Sequence, residues 1–170
     1  PRVGGLYIKD IKAVEVGSWP RKGDGVNGAL CYLDGDDEGD EHIVELPPGG
    51  STAPLRHMYT EATYVVSGHG STSVWRDKGA KQTFEWGPGS YFVLPTNAWH
   101  QFFNASLSRS ARWFSVTDLP QLLRQWASED FVFNNPHDFN ERYAGEPDYF
   151  TADAKLYRGR VWETNFIPDI

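Results

Sequence analysis

The sequence predicts an all-β protein built as a barrel or sandwich. Alternation of apolar and polar residues marks nine segments, each bounded by glycine, proline or polar clusters. The segments recur about every ten residues along much of the chain, a spacing typical of sandwiches and barrels. The predicted strands cover residues 6–16, 28–34, 41–46, 62–68, 71–75, 81–86, 90–95, 99–104 and 112–116.

One short helix is predicted after the last of these strands, over residues 117–126. Thr117 or Asp118 can cap its N-terminus, and Pro120 is favourable in a first helical turn. Leucines and Trp126 recur at helical spacing and form one apolar stripe. This is the one segment that combines helix start signals with an apolar face.

Aromatic and turn-forming residues are interspersed in the next segment, residues 131–150. Exposure of so many aromatic side chains is unfavourable, so we expect an ordered arm packed over another surface. We predict a barrel domain over residues 1–130 and a C-terminal arm or connector over residues 131–170. The sequence does not indicate whether the covered surface belongs to the same chain.

Composition and charge exclude several classes of function. The chain has 16 Lys and Arg against 23 Asp and Glu, a net charge of −7, whereas binding to nucleic acid or an anionic membrane needs a basic face. The single cysteine, Cys31, excludes an internal disulfide and a cysteine-rich zinc module. No apolar run approaches membrane-spanning length and the first residues lack a signal-peptide pattern. We therefore expect a cytoplasmic protein with a small-molecule substrate.

Two further patterns are interpreted as structural. The acidic run over residues 34–45 nearly fits the EF-hand pattern, but its strand-like flanks and Pro47-Pro48 favour a solvated hairpin loop. His42 and His137 have no partner at ligand spacing, and His69 follows a glycine at a predicted hairpin turn. We expect His69 to be exposed and the other two histidines to be ordinary surface or core residues.

Two histidines and a glutamate are candidate metal ligands. Residues four apart in a straight strand lie about 13 Å from each other, so His57 and Glu61 can share an ion only if residues 58–60 form a bend. His100 follows a turn predicted at residues 95–97 and would add a second imidazole. Two imidazoles and one carboxylate with open positions favour Fe(II), and Mn, Ni, Zn or Cu also fit these donors. The alternative is a barrel without a metal, in which both histidines are hydrogen-bonded in the core.

The central residues, 49–104, resemble the two motifs of the cupin superfamily. The first motif is matched, with its spacings intact, by Gly49, Leu55-Arg56-His57, Glu61 and Gly68. The second is matched by Gly89, Pro95-Thr96-Asn97, His100 and Asn104. Leu55 stands where the family has its first metal-binding histidine, and Asn97 stands where it has a turn glycine. The resemblance implies a jelly-roll β-barrel that lacks one metal ligand, whereas asparagine tolerates the left-handed backbone of the turn.

Longer stretches resemble one group within that superfamily. Residues 54–75, 84–104 and 131–143 look like the first half of two-cupin proteins of the gentisate-dioxygenase-like kind. Residues 161–170 resemble the connector that precedes their second barrel. The resemblance implies that the natural chain continues past Ile170 into a second cupin domain. Because cupins commonly form dimers through their sheets, it also implies a homodimer or pairing with that second domain.

Strand alternation indicates which side chains face the predicted site. Leu55 lies two residues before His57, and Phe102 lies two residues after His100, so alternation places each on the same side as the nearby candidate ligand. We therefore expect both to contact a substrate. Tyr59 lies in the predicted bend, where its hydroxyl is a candidate catalytic proton donor. Alternation directs the side chains of Arg56 and Arg112 away from the inside.

These residues and the resemblance lead to three functional hypotheses. The first is a metal-dependent, dioxygenase-like oxidoreductase that acts on a small organic or aromatic acid. The second is a cupin isomerase or decarboxylase that uses Mn, Ni or Zn without a redox change. The third is a non-catalytic barrel for ligand binding or oligomer assembly. Metal content distinguishes the three hypotheses. The first predicts bound iron, the second predicts another metal, and the third predicts no metal.

Overall fold

Two β-sheets enclose the main hydrophobic core in the computed structural model of the chain. The structure describes residues 1–33, 40–153, 155–157 and 161–170. Residues 34–39 of the predicted acidic hairpin loop therefore lie outside the described residues. Within these ranges, no helix is both long enough and apolar enough to span a membrane.

The described residues form mainly strands. The strands are β1 (Arg2–Gly5), β2 (Gly17–Ser18), β3 (Asn27–Leu33), β4 (Asp40–Leu46), β5 (Glu61–Ser67), β6 (Gly70–Trp75), β7 (Gln82–Trp86), β8 (Tyr91–Val93), β9 (Trp99–Asn104), β10 (Ala111–Thr117), β11 (Lys155–Tyr157), β12 (Val161–Glu163) and β13 (Phe166–Ile167). The helices are a 3₁₀ helix (Pro20–Lys22), α1 (Leu119–Trp126) and α2 (Glu129–Phe133). All the predicted strands but the first are confirmed.

The larger sheet has the order β1-β3-β4-β10-β5-β8-β13, and β2 also pairs with β3. Its pairs are antiparallel except for the parallel pair of β1 and β3. The smaller sheet has the order β7-β6-β9, and β11 pairs with β12 separately. In the larger and the smaller sheet, alternate residues point into one shared core. On β9, for example, His100, Phe102 and Asn104 are buried, and the residues between them are less buried. The all-β class predicted from the sequence is confirmed.

The predicted strand over residues 6–16 is wrong, since no strand forms between β1 and β2. The guanidinium group of Arg112 on β10 donates hydrogen bonds of 2.7–3.3 Å to three carbonyls of this segment, those of Ile11, Lys12 and Val14. Because a side chain satisfies these carbonyls, the segment does not need a neighbouring strand. Its apolar residues pack as a satellite cluster against β3 and β4.

The predicted helix is present as α1, and a second short helix follows it. Thr117 Oγ1 accepts a hydrogen bond from the first N–H group of α1. Ser128 caps α2 by accepting a hydrogen bond from the N–H group of Phe131, a start signal that the sequence analysis did not use. The rings of Trp126 and Phe131 stack 4.6 Å apart, so the two helices pack together. The predicted division between residues 130 and 131 falls inside α2.

The aromatic arm covers the barrel of its own chain. Arg76, which is only 2% exposed, donates hydrogen bonds to the carbonyls of Tyr143 and Phe139 in the arm and of Thr96 in the barrel. The ring of Tyr143 is fully buried in the main core. Further along the chain, β13 extends the larger sheet beside β8. The ordered arm expected from composition is present, and its partner surface is intramolecular.

The turn before β9 depends on Asn97. Its φ of 54° lies in the left-handed region, where asparagine replaces glycine at little cost. The Asn97 side chain donates hydrogen bonds of 2.9 and 2.7 Å to the carbonyls of Asn135 and His137. Asn97, which replaces the glycine of the motif, therefore keeps the turn and also holds the arm against it through hydrogen bonds.

Candidate metal centre

Three buried side chains meet at one end of the barrel. His57 precedes β5, Glu61 is the first residue of β5, and His100 lies on β9. Their exposed fractions are 4%, 0% and 2%, and their potential ligand atoms all lie within 4.8 Å of one another. The bend expected at residues 58–60 reverses the chain, so that Glu61 Oε2 lies 3.0 Å from His57 Nε2.

Leu55 supports this arrangement through its backbone. Its N–H group donates to the His100 carbonyl at 3.0 Å, and its carbonyl accepts from the His100 N–H group at 2.8 Å. This isolated bridge fixes the loop that carries His57 against β9. Leucine removes the imidazole of the family motif, but the backbone pairing that brings the two remaining histidines together is kept.

The two imidazoles are oriented by backbone carbonyls. His57 Nδ1 lies 2.9 Å from the Tyr59 carbonyl oxygen, and His100 Nδ1 lies 3.1 Å from that of Ala98. A carbonyl oxygen only accepts, so in each hydrogen bond the Nδ1 atom carries the proton. With Nδ1 engaged in this way, Nε2 of each ring is the atom directed at the cluster, as in metal-binding histidines.

The donor set fits a divalent ion. His57 Nε2, in this tautomer, and the Glu61 carboxylate are both acceptors, so their 3.0 Å separation requires a cation or a proton between them. Two donors that each lie about 2.1 Å from one ion, at right angles, are roughly 3.0 Å apart. The distance between the two donors is therefore the one that a shared ion with adjacent ligands would give.

Electrostatics set the charge of Glu61. Burial alone would raise the pKa of this carboxyl, but Lys22, His42 and His57 together hold the pKa well below its usual range. Lys22 Nζ lies 3.7 Å and His42 Nε2 lies 3.5 Å from Oε1, the oxygen that also accepts a hydrogen bond from Ser115. Glu61 is therefore a carboxylate with one oxygen neutralised by the protein and the other directed at His57.

His100 is held in its neutral form. Burial, followed by the neighbouring His57, lowers the pKa of His100 to about 3. Metal ions bind neutral imidazole and ionised carboxylate, because protons compete for the same lone pairs. At neutral pH, Glu61 and His100 both have the protonation state that a metal ligand requires.

A cavity of about 210 Å³ opens beside the cluster. Its wall combines aromatic rings with charged groups, and it includes His57 of the cluster. The aromatic residues are Trp19, Tyr59 and Phe133, the basic residues are Arg21, Lys22 and Arg56, and Asp40 is acidic. Lys22 is paired with Glu61 and Arg56 with Asp77, so Arg21 is the basic group of this wall that, among the described salt bridges, has no acidic partner. Arg21 and the aromatic rings suit a small planar anion.

The structure places the other predicted site residues unequally. The Tyr59 ring stacks on the His57 ring with centroids 3.6 Å apart, and both Tyr59 and Leu55 line the cavity. Burial raises the pKa of the Tyr59 phenol well above its usual range, and Glu61 raises it further. Phe102 does not line the cavity. It lies two residues after His100 on β9, and its ring is in the main core, where it stacks on the ring of Trp113 with centroids 4.5 Å apart.

One expectation about the other residues is corrected. Arg56, expected to point away from the inside, lines the cavity, and its guanidinium group lies over the Trp99 ring and pairs with Asp77. Loop residues do not follow strand alternation, which explains this error. His42, expected to be an ordinary surface or core residue, is a buried core residue that lies beside Glu61 and lines the cavity.

Three residues around Glu61 were missed. Ser115 lies two residues from the buried Trp113 and Thr117 on β10. His42 lies two residues before the buried Val44 on β4, so alternation could have placed both side chains inside. Lys22 belongs to a 3₁₀ helix in a turn-rich segment, and no sequence pattern signals its burial. Arg112 is outside the site, as expected, and pairs with Glu45.

Comparisons with known proteins identify the family. Residues 42–117 match the family described as the cupin domain. The chain contains a cupin domain. Its fold is also that of the Cnp3 cupin domain of Schizosaccharomyces pombe, with a TM-score of 0.54, 13% identity, and coverage of 72% of this chain and 81% of that one. The jelly-roll cupin barrel predicted from the sequence is therefore confirmed.

Enzymes are also among the relatives of this cupin domain. Over 94 residues it is 34% identical to a 5-aminosalicylate 1,2-dioxygenase from Comamonas sp., a match that covers 54% of this chain and 23% of the dioxygenase. The chain thus spans about a quarter of that relative. An oxalate oxidase in complex with glycolate shares the fold at a TM-score of 0.53 and 18% identity, covering 66% of this chain and 59% of that one.

Proposed function

We propose that this cupin domain carries the metal centre of an oxidoreductase that uses dioxygen on a small organic or aromatic acid. The observation that supports this most directly is the His57, Glu61 and His100 cluster beside a cavity with aromatic and basic walls. The similarity to a 5-aminosalicylate dioxygenase supports the reaction class.

His57, Glu61 and His100 would hold the ion through two imidazole nitrogens and one carboxylate. These donors favour Fe(II), and they also accept Mn, Ni, Zn or Cu. When bound, a redox-active ion such as Fe(II) would supply Lewis acidity and an electron-transfer partner for dioxygen, whereas Zn would supply Lewis acidity alone. Leu55 supplies no ligand atom in its side chain, so positions remain open for exogenous ligands.

The residues around the cluster have separate roles. Lys22 balances the charge of one oxygen of Glu61 and, with His42 and His57, lowers the pKa so that the carboxylate stays ionised. Ser115 fixes the same oxygen with a hydrogen bond. The raised pKa keeps the Tyr59 phenol in its neutral form, so Tyr59 would donate a hydrogen bond to a substrate oxygen in the cavity and is the candidate proton donor. Leu55 and Phe133 exclude water from the cavity wall.

Arg21 supports an acidic substrate. Its guanidinium carbon lies 3.4 Å from the centroid of the Phe133 ring, and its side chain lines the cavity. Stacking fixes the plane of the guanidinium group and leaves its N–H edge for a carboxylate. The salt bridges described in the structure include none to Arg21.

The first test is metal content. We expect purified wild-type protein to contain about one equivalent of a divalent metal per chain, and His57→Ala to lose it because one of three donors is removed. His69→Ala, at an exposed histidine, is the control and should retain the metal. Elemental analysis measures all three, and equal metal in His57→Ala and wild type would overturn the ligand assignment.

The second test concerns the substrate acid. We expect Arg21→Gln to bind 5-aminosalicylate about tenfold or more weakly, since charged hydrogen bonds contribute about 1.5–3 kcal/mol. Binding of the corresponding carboxamide, which lacks the negative charge, should change little. Arg142→Gln is a matched control, because Arg142 also stacks on a phenylalanine but does not line the cavity. Calorimetry measures the affinities, and equal losses in both variants would contradict the role of Arg21.

One observation favours a second candidate function. Lys22 already places a positive charge next to Glu61, so the buried carboxylate is compensated in the absence of any ion. A non-catalytic ligand-binding barrel is consistent with this. Binding of 5-aminosalicylate by metal-free protein, without dioxygen consumption in the presence of any of the five metals, would support it. Iron-dependent dioxygen consumption would exclude it.

A further inference from the structure

The bend between His57 and Glu61 is held from outside by the helical segment. The Met58 N–H group donates to the carbonyl of Val132 in α2 at 2.8 Å. The Thr60 N–H group donates to Oδ1 of Asp118 at 2.7 Å. Asp118 occupies the N-cap position of α1, yet its side chain makes no capping hydrogen bond to that helix. Its carboxylate instead binds the bend.

The hydrogen bonds of His57 and Asp118 meet on one peptide group. The Tyr59 carbonyl and the Thr60 N–H group belong to the same planar unit and point in opposite directions. The carbonyl accepts the hydrogen bond from His57 Nδ1 at 2.9 Å, and the N–H group donates to Asp118. A carboxylate, a peptide group and an imidazole are thus connected in series.

We propose that Asp118 is a positioning residue of the metal centre, acting on His57 through the Tyr59–Thr60 peptide group. The negative charge polarises the peptide group, and hydrogen bonds in a chain strengthen one another. The Tyr59 carbonyl therefore holds the Nδ1 proton of His57 more strongly, which directs the Nε2 lone pair to the cluster. In many metal sites a carboxylate contacts the histidine directly; here one peptide group lies between them. Only the effect on metal affinity rests on the proposed function.

The experiment compares three variants in the full chain. Asp118→Ala removes the acceptor, and Asp118→Asn keeps an oxygen acceptor but removes the charge. Asp130→Ala is the matched control, because Asp130 lies in the neighbouring helix α2 and accepts a hydrogen bond from Asn134 rather than from the bend. Backbone NMR spectra establish that each variant is folded.

The first measurement is the Nδ1–H hydrogen bond of His57 in metal-free, ¹⁵N-labelled protein, obtained from the ¹H shift of the Nδ1 proton in ¹H–¹⁵N spectra. We expect a strongly hydrogen-bonded Nδ1 proton in wild type and Asp130→Ala, a weaker hydrogen bond in Asp118→Ala, and partial rescue in Asp118→Asn. This readout holds whether or not Nε2 also carries a proton toward Glu61. His100, whose Nδ1 contacts the Ala98 carbonyl, is an internal control and should not change. An unchanged Nδ1–H signal of His57 in a folded Asp118→Ala variant would overturn the proposal.

The second measurement is affinity for Co(II), followed by its visible absorption spectrum. We expect about a tenfold loss in Asp118→Ala, the lower end of the effect of outer-shell partners, and a smaller loss in Asp118→Asn. If neither wild type nor any variant binds a metal while the Nδ1–H hydrogen bond of His57 still depends on Asp118, the proposed function fails and the positioning role stands. If the metal binds with the same affinity in every variant and the Nδ1–H hydrogen bond is also independent of Asp118, the positioning role fails and the proposed function stands.

Discussion

A buried carboxylate requires positive charge nearby, and Glu61 obtains it from an unexpected residue. Lys22 is buried with its ammonium group 3.7 Å from the carboxylate, although it lies in a short 3₁₀ helix far from Glu61 in the sequence. Removal of one partner from such a pair commonly costs about 3–5 kcal/mol. Lys22 therefore contributes to stability as well as to the charge balance of the candidate metal centre.

The pKa of His100 predicts a pH dependence of stability. Its folded value of about 3 lies below the ordinary value near 6.5, so between these values the unfolded chain binds a proton that the folded chain does not. The free energy of unfolding should therefore fall on acidification, by up to about 1.4 kcal/mol per pH unit from this group. We expect metal-free wild type to lose stability between about pH 6.5 and pH 5, above the range where carboxyl groups titrate.

Two variants isolate that contribution. His100→Gln has no titrating imidazole, so its stability should depend less steeply on pH over the same range. His137→Gln, at an exposed histidine, should follow wild type. Urea unfolding at several pH values provides the free energies, and parallel curves for wild type and His100→Gln would show that the prediction is wrong.

At the scale of elements, the site is formed mainly where strands end. His57 and Tyr59 lie in a loop whose backbone is paired with β9 through Leu55 and with α2 through Met58. Glu61 begins a strand, and only His100 lies within one. The side chains of loop residues are not bound by strand alternation, which is why the three candidate ligands converge although His100 is far from the other two in the sequence. The same freedom explains why parity failed for Arg56.

The N-terminal segment shows the limit of periodicity. Residues 6–16 alternate as a strand would, yet Arg112 satisfies their carbonyls, and the edge of the larger sheet is formed by β1 in a parallel pair with β3. Alternation of apolar and polar residues indicates which side of a segment is buried. It does not indicate whether a strand or a side chain provides the hydrogen-bond partners of the backbone.

At the scale of the whole molecule, Arg76 joins the arm to the barrel. Its guanidinium group donates to three carbonyls and also pairs with Asp138 of the arm. We expect Arg76→Met to lower the free energy of unfolding by about 3 kcal/mol or more, because buried carbonyls lose their donors. Urea unfolding measures the loss, and limited proteolysis should cleave the arm faster in this variant.

Arg142→Met provides the comparison, since Arg142 is an exposed arginine of the same arm. Its stability should stay within about 0.5 kcal/mol of wild type. A similar small loss for Arg76→Met, with unchanged proteolysis, would show that the arm is held by its aromatic residues alone.

Several features followed from the sequence for identifiable reasons. Period-two alternation is a direct consequence of strand geometry, so eight of the nine predicted strands appear among those described. The reach of a metal ion demanded a bend between His57 and Glu61, and the chain turns there. Asn97 was expected to keep a left-handed turn, and its φ is positive. Each inference rests on interactions between residues close in the chain or on fixed covalent geometry.

The sequence by itself determined the all-β class, the cupin motifs and the identity of the three candidate ligands, because local periodicity and spacing encode them. Only the tertiary structure decided that Lys22, His42 and Ser115 surround Glu61, that Asp118 reaches the bend, and that Phe102 belongs to the core. These are contacts between segments distant in the chain, and their geometry depends on how the sheets and helices pack. No local pattern records which side chains such packing brings together.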